Sequence, residues 1–299
     1  MLRQSGPLGA MKVAVRVSPF LAADLTVALL LCLASMGIDR HLALMIAPEV
    51  LLPILGIAIS IFISFRNNQA YSRWWEARSL WGVLNNQSRN FRDNLHSQLG
   101  GSSPAEALKR PFLLRQVFIA WALNHELRYK FHPHPRQAMQ SLSQELGCAE
   151  MGSQDLLVEQ SLGLETLYRD GQISDEGRIQ LQRVLDELCS AIGGLEKVRN
   201  QPFPAAYDVF IRLSSWMFGY LFFVRIDATS APLGSLMGYL VFAGFLIAER
   251  LGAFVETPFF DPVLALPMNR MCATITRGLL GPNHPLAVPP EGERSTVWT

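Results

Sequence analysis

The chain predicts an all-α integral membrane protein: four transmembrane helices plus a helical cytosolic region. Three observations carry this. Four apolar stretches, Pro19–Met36, Leu42–Phe65, Ala206–Ile226 and Pro232–Ala248, each lie near the roughly 20 residues a helix needs to cross a bilayer. Only 17% of the 299 residues are charged, against roughly 25% in an ordinary soluble domain. No segment of any length alternates with the period of two expected of a half-buried strand. Leu, Ala, Phe and Met dominate the four runs, with Gly and Pro at their edges. The alternative is a set of buried helices in a large soluble core; membrane spans are favoured because four such runs in a charge-poor chain are hard to bury otherwise.

The elements follow in chain order. "MLRQSGPLGAMKVAVRVSPF" sets basic residues before an apolar run, as a signal peptide does. No small-residue cleavage site follows, so residues 1–18 are expected as a cytosolic segment leading into a retained first helix. That helix carries Asp24, an intramembrane acid that is either functional or held by an interhelical bond or snorkelling. Residues 19–66 form one membrane hairpin and 206–255 a second. Arg3, Lys12 and Arg16 precede the first span. Arg66, Arg73, Arg78, Arg89 and Arg92 follow the second, and Lys197, Arg199 and Arg212 flank the third. The excess of basic residues on one side places both termini and the long middle in the cytoplasm.

Residues 67–205 continue as a helical cytosolic region. One helix is expected from about Ala105, with Phe112, Val117, Ile119, Leu123 and Leu127 as an apolar stripe that needs a partner surface. Another starts at Ser174 or Asp175, whose side chains accept first-turn N–H bonds. Gly193 and Gly194 weaken its end and "QPFP" stops it. Residues 256–280 read as a further cytosolic helical segment. Residues 281–299, rich in Pro and Gly, read as a disordered tail.

Several functions are disfavoured directly. A net charge of +1 leaves no basic excess to neutralise phosphates, so nucleic acid is not an expected partner. Cys32, Cys148, Cys189 and Cys272 are scattered without metal-ligand spacing and read as free thiols or core residues. His132 and His134 sit in "HPHP", too proline-bound for a helical metal site, and His125-Glu126 lacks the second histidine of HExxH. No GxSxG, P-loop or GxGxxG is present. The expectation is no enzyme, no cofactor and no metal.

The second span holds the most specific pattern. Ile57, Ile61 and Phe65 fall at i, i+4 and i+8, nearly on one helix face, over about 12 Å of axis. Gly56, Ala58 and Ser60 allow close helix approach beside them. Read alone, the stripe is either ordinary helix packing or, repeated around an axis, an apolar constriction that controls wetting. The helix then runs out of the apolar layer into "FRNNQAYSRWWEARSLWG". Arg66, Asn67 and Asn68 place polar groups at the boundary. Arg73 lies three residues from Glu76 and can pair with it, while Trp74, Trp75 and Trp81 suit an interfacial belt or packing under cytosolic helices.

That run, with Arg66, Asn67, Asn68, Arg73, Trp74, Trp75, Glu76 and Arg78, resembles the signature of the bestrophin family in its bacterial branch. "RDGQISDEGRIQLQRVLDEL" and "LEKVRNQPFPAAY" resemble the family's cytosolic helix and the stretch after it. The resemblance covers roughly Val15 to Leu280. It implies a homopentameric channel for small monovalent ions in the bacterial inner membrane, with lipid and copies of itself as partners. It places the pore neck on Ile57, Ile61 and Phe65. It also suggests an outer mouth at Glu49, which equally reads as a helix-start carboxylate after Pro48. The cytosolic aperture falls near Asp175, Glu176 and Ile179. The family's acidic calcium clasp is reduced here to Glu256 and Asp261, too few oxygen ligands for a tight site. Isoleucine at the middle neck position, with acids at both mouths, leans toward cations. Arg66 just below the neck argues against it. The alternatives are a chloride channel of the same family and a non-conducting scaffold.

Overall fold

The computed structural model describes residues 7–36, 42, 45, 50–128, 132–202, 204–230, 232–260 and 265–289. Among these, every regular element is helical: α1 (Pro7–Ser35), α2 (Leu51–Leu99), α3 (Ser103–Leu127), α4 (Pro133–Leu146), α5 (Ser153–Arg169), α6 (Asp175–Asn200), α7 (Ala205–Ser230), α8 (Leu233–Glu256), α9 (Met268–Leu280) and a 3-10 turn at Pro285–Ala287. The chain divides into two compact units. One comprises described residues from 7–74 and 202–260, the other those from 75–201 and 265–289.

The first unit holds α1, the start of α2, and α7 with α8. Among the described residues, three helices are long and apolar enough to cross a membrane: Leu51–Leu99, Ala205–Ala228 and Leu233–Glu256. Leu21–Ser35 is apolar but shorter. The helix containing it begins at Pro7 and carries Pro19 in its interior, so the expected boundary at residue 18 is no helix boundary. The hairpin of α7 and α8 packs closely, and the Ser235 hydroxyl donates to Asp227 across its turn. Ala28, Cys32, Phe223, Val224, Phe242 and Leu246 bury one core among α1, α7 and α8. The Tyr239 hydroxyl donates to the Leu25 carbonyl at 3.3 Å, tying α8 to α1. A second core joins α2 to α7 through Leu52, Ile59, Ile63, Ile211 and Phe218.

In the second unit α3 is the centre. The predicted stripe exists, but Leu113, Leu114, Phe118, Ala120, Trp121 and Ala122 are buried as well. Helices α4, α5 and α9 surround it. The partner surface that the stripe called for is therefore supplied within the chain, and the stripe gives no argument for assembly. Polar residues of α3 are paired inside: Gln116 Nε2 donates to Ser88 Oγ at 3.0 Å, Trp121 Nε1 to Thr276 Oγ1 at 3.2 Å, and Asn124 Nδ2 to Asn269 Oδ1 at 2.7 Å. Helix α6 starts as expected, with Ser174 Oγ accepting from the Gly177 N–H at 3.1 Å. It does not weaken at Gly193 and Gly194 but continues to Asn200. Gly194 serves close packing instead, since a Cβ there would lie 2.9 Å from Leu80 Cδ1.

The segment after α9 corrects the expectation of a disordered tail as far as residue 289. Arg277 donates to the Ala287 carbonyl at 3.1 Å. The Leu286 N–H donates to His284 Nδ1 at 3.2 Å. Residues 290–299 lie outside the described residues.

Candidate pore site

Helix α2 presents two apolar faces within the first unit. Ile59 and Ile63 turn toward α7 and are 5% and 6% exposed. Ile57, Ile61 and Phe65 turn away from the chain and are 64%, 49% and 62% exposed, joined one turn earlier by Ile54. Helical spacing thus brings the three predicted neck residues onto one bare face. A groove of ≈ 830 Å³ runs beside them, lined by Gly56, Ile57, Ser60, Ile61, Phe218 and Phe245 among others. Gly56 is pressed by Phe218, whose Cζ would lie 2.9 Å from a Cβ at that position. The Ser60 hydroxyl bonds to its own helix, donating to the Gly56 carbonyl at 2.7 Å.

Arg66 follows Phe65 by about 100° of helix rotation, and its side chain is 1% exposed. It donates to Asp208 on α7, to the Glu249 carbonyl on α8 at 2.9 Å, and to Glu249 Oε1 at 3.3 Å. Glu256 Oε2 stands 3.5 Å away. The guanidinium therefore does not share the bare face of Phe65, and its charge is compensated by carboxylates. Asn67 Nδ2 adds a bond to the Ala248 carbonyl at 3.1 Å. Asn68 is exposed. In the sequence Arg66 stands as an isolated charge just below the stripe, because its partners sit some 140 to 190 positions later, beyond any local signal.

The rest of the predicted signature divides between the units. Trp74 is buried and stacks on Tyr71, with ring centroids 6.4 Å apart. Arg73 is half-buried. Trp75, Glu76 and Arg78 are exposed, and Glu76 pairs with Lys197 on α6 at 3.6 Å. Of the proposed mouth residues, Glu49 lies outside the described residues, as does Asp261. Asp175, Glu176 and Ile179 are exposed together on the first turn of α6. Asp175 is paired with Arg178 at 2.7 Å, and the Arg178 guanidinium lies over the Tyr168 ring, 5.1 Å from its centroid. That ion pair leaves Glu176 as the acid there that is not matched to Arg178.

A second group was visible in the sequence only as isolated charges. Asp24 on α1 accepts from Arg212 on α7 at 3.0 Å and from Arg250 on α8 at 2.5 Å. The interhelical bond expected as one reading of Asp24 is present.

An all-helical bundle with membrane-length helices, one presenting a bare apolar stripe and a buried arginine below it, defines the class: a helical membrane protein. The model of the bacterial and fungal bestrophin proteins matches residues 8–280, and the chain belongs to that family. Among its relatives, the voltage-dependent anion channel-forming protein YneE of Escherichia coli K12 is 28% identical over 243 residues, covering 79% of this chain and 77% of that protein. A voltage-dependent anion channel-forming protein of Ralstonia nicotianae is 27% identical, covering 76% of each. The crystal structure of a variant bacterial bestrophin homolog from Klebsiella pneumoniae superposes with a TM-score of 0.75 at 28% identity, covering 87% of this chain and 97% of that one.

Proposed function

We propose that this chain assembles as a homopentameric ion channel in the bacterial inner membrane, with both termini in the cytoplasm. Five copies of α2 surround the axis, and Ile57, Ile61 and Phe65 form its neck. One observation carries this: three large apolar side chains on one face of a membrane helix are left bare by their own chain, while the opposite face is fully packed. Rings of such residues make a dry constriction that admits ions only when it wets. The groove beside Gly56 and Ser60 suits the α2 helix of an adjacent copy, because small residues let backbones approach in a membrane.

For the sign of the ion, the names of the relatives favour anions, and the cation lean drawn from the sequence has no support in them. On the cation side stand Ile61 and the exposed Glu176. Arg66, enclosed by carboxylates, offers no open positive charge to draw anions. The reversal potential of the purified protein in planar bilayers under a sodium chloride gradient distinguishes the two. A silent but correctly assembled protein would favour the scaffold reading, and native mass spectrometry in detergent reports whether five copies are present.

A further inference from the structure

The two apolar faces of α2 raise a question that burial alone does not answer. Ile57 and Ile61 on one side, Ile59 and Ile63 on the other, are the same residue type at the same depth. In lipid, helix association has little hydrophobic driving force, since acyl chains are as apolar as isoleucine. Burial therefore does not dictate which isoleucine row turns to the axis and which to α7. A polar key is needed, and Arg66 with Asn67 is placed to act as one.

Arg66 is tied to two different helices, to Asp208 on α7 and to Glu249 on α8, with Glu256 two further turns along α8. Asn67 binds the α8 backbone at Ala248. Gly252 makes this approach possible: a Cβ there would collide with Asn67 Oδ1 and lie 3.4 Å from an Arg66 guanidinium nitrogen. The bonding partners are themselves fixed from behind. Asp208 is one turn from Arg212 and Glu249 is adjacent to Arg250, and both arginines are held by Asp24 of α1. Three guanidiniums and four carboxylates thus link all four helices of this unit. Rotating α2 by one residue, about 100°, would carry Arg66 out of this cluster into lipid or the pore and leave Glu249, 3% exposed, without its arginine. Both consequences are strongly unfavourable away from water.

We infer that Arg66 is the positioning residue of the neck: its pairing with Asp208 and Glu249 sets the rotation of α2 that turns Ile57, Ile61 and Phe65 to the axis. This rests on the channel reading for its meaning but not for its test. In the full chain with Cys148 and Cys189 replaced by serine, leaving the buried Cys32 and Cys272, reporters are introduced singly as Phe65→Cys and Ile63→Cys. An aqueous thiol reagent is expected to modify the first quickly and the second slowly. Adding Arg66→Gln should speed the second by about tenfold, because a one-residue rotation in either direction carries position 63 to the exposed place of residue 62 or 64. Arg66→Lys, which keeps the charge, should preserve the original order. If Arg66→Gln does not assemble, Asp208→Asn combined with Glu249→Gln carries the same measurement, because it removes the two carboxylates that Arg66 pairs with. An unchanged difference between the two rates in either background overturns the inference, as does loss of that difference in the Lys variant. The readout requires no current, so a silent wild-type protein would refute the channel and leave this test standing.

Discussion

Replacing Ile57, Ile61 and Phe65 with alanine together should open the neck without unfolding the protein. The three residues span eight positions, so the dry segment extends over about 12 Å. Each Ile→Ala change withdraws two bonds of about 1.5 Å, or about 2.5 Å of reach along the radius. Facing copies retreat together, widening the bore by about 5 Å, against about 2.8 Å for a water probe. A continuous water column then replaces the apolar plug. Stability should hardly change, because the three side chains rest mainly outside their own chain, and exposed substitutions usually cost within about 0.5 kcal/mol. The control is Ile63→Ala on the packed face, 6% exposed, where a cavity costs about 2 to 5 kcal/mol. Single-channel recording in planar bilayers should show higher conductance or open probability for the triple variant, with its melting temperature near wild type. Wild-type currents from a correctly assembled triple variant would refute the neck assignment.

Other expectations are independent of this one. Ile61→Phe should move the reversal potential toward anions if the neck decides ion sign, because aromatic rings present positive edges; no movement would assign sign to the mouths. Asp24→Asn should lower the melting temperature in detergent by several degrees, since Arg212 and Arg250 lose their shared partner; an unchanged melting curve would show that the α1 node is dispensable. Gly194→Val should destabilise the second unit, because even the first added carbon meets Leu80 at 2.9 Å, and overpacking costs about 1 to 3 kcal/mol. His132 is pushed down to about 4, by burial first and then by Arg128 and His134. Its contribution to stability is complete above the unfolded value near 6.5 and is lost as pH falls through about 4, so thermal melts should decline across that window and decline less in His132→Asn.

The sequence made the membrane helices legible because length and apolar content are local properties, and α7 and α8 fall where their runs predict. The bare face of α2 was legible for a similar reason: a spacing of four along a helix fixes a face without any knowledge of the neighbours. Other features depend on distant partners. The far side of α3 carries Gln116 and Asn124, which look solvent-facing in a pattern of apolar residues. Their partners Ser88 and Asn269 make them buried. Residues 281–289 have the composition of a mobile tail, yet Arg277 of α9 anchors them, and His284 accepts a bond within the segment, neither of which Pro and Gly content reveals. Gly194 reads as a helix breaker in isolation and as a packing site only once Leu80 is known to press on it.

Ion sign is the property least legible from either sequence or fold, and the reason is physical. The isoleucine rings of the proposed neck have almost no field of their own, so they would set whether ions pass more than which ones do. Selectivity would then come from the Phe65 ring, from charges at the mouths or from groups just beyond the neck. The strongest charge in that position is Arg66, and the chain compensates it by aiming Asp208 and Glu249 at it from two helices. An arginine used to orient a helix is unavailable to attract anions, whereas one turned to the pore would have no partners to orient against. The same side chain cannot do both, so in the proposed channel the rotation of α2 and the sign of the transported ion would be linked through a single residue. A variant that frees Arg66, such as Asp208→Asn combined with Glu249→Gln and Glu256→Gln, should therefore disturb the neck accessibility pattern and shift permeability toward anions together. A permeability shift with the accessibility pattern intact would separate the two roles and break that link.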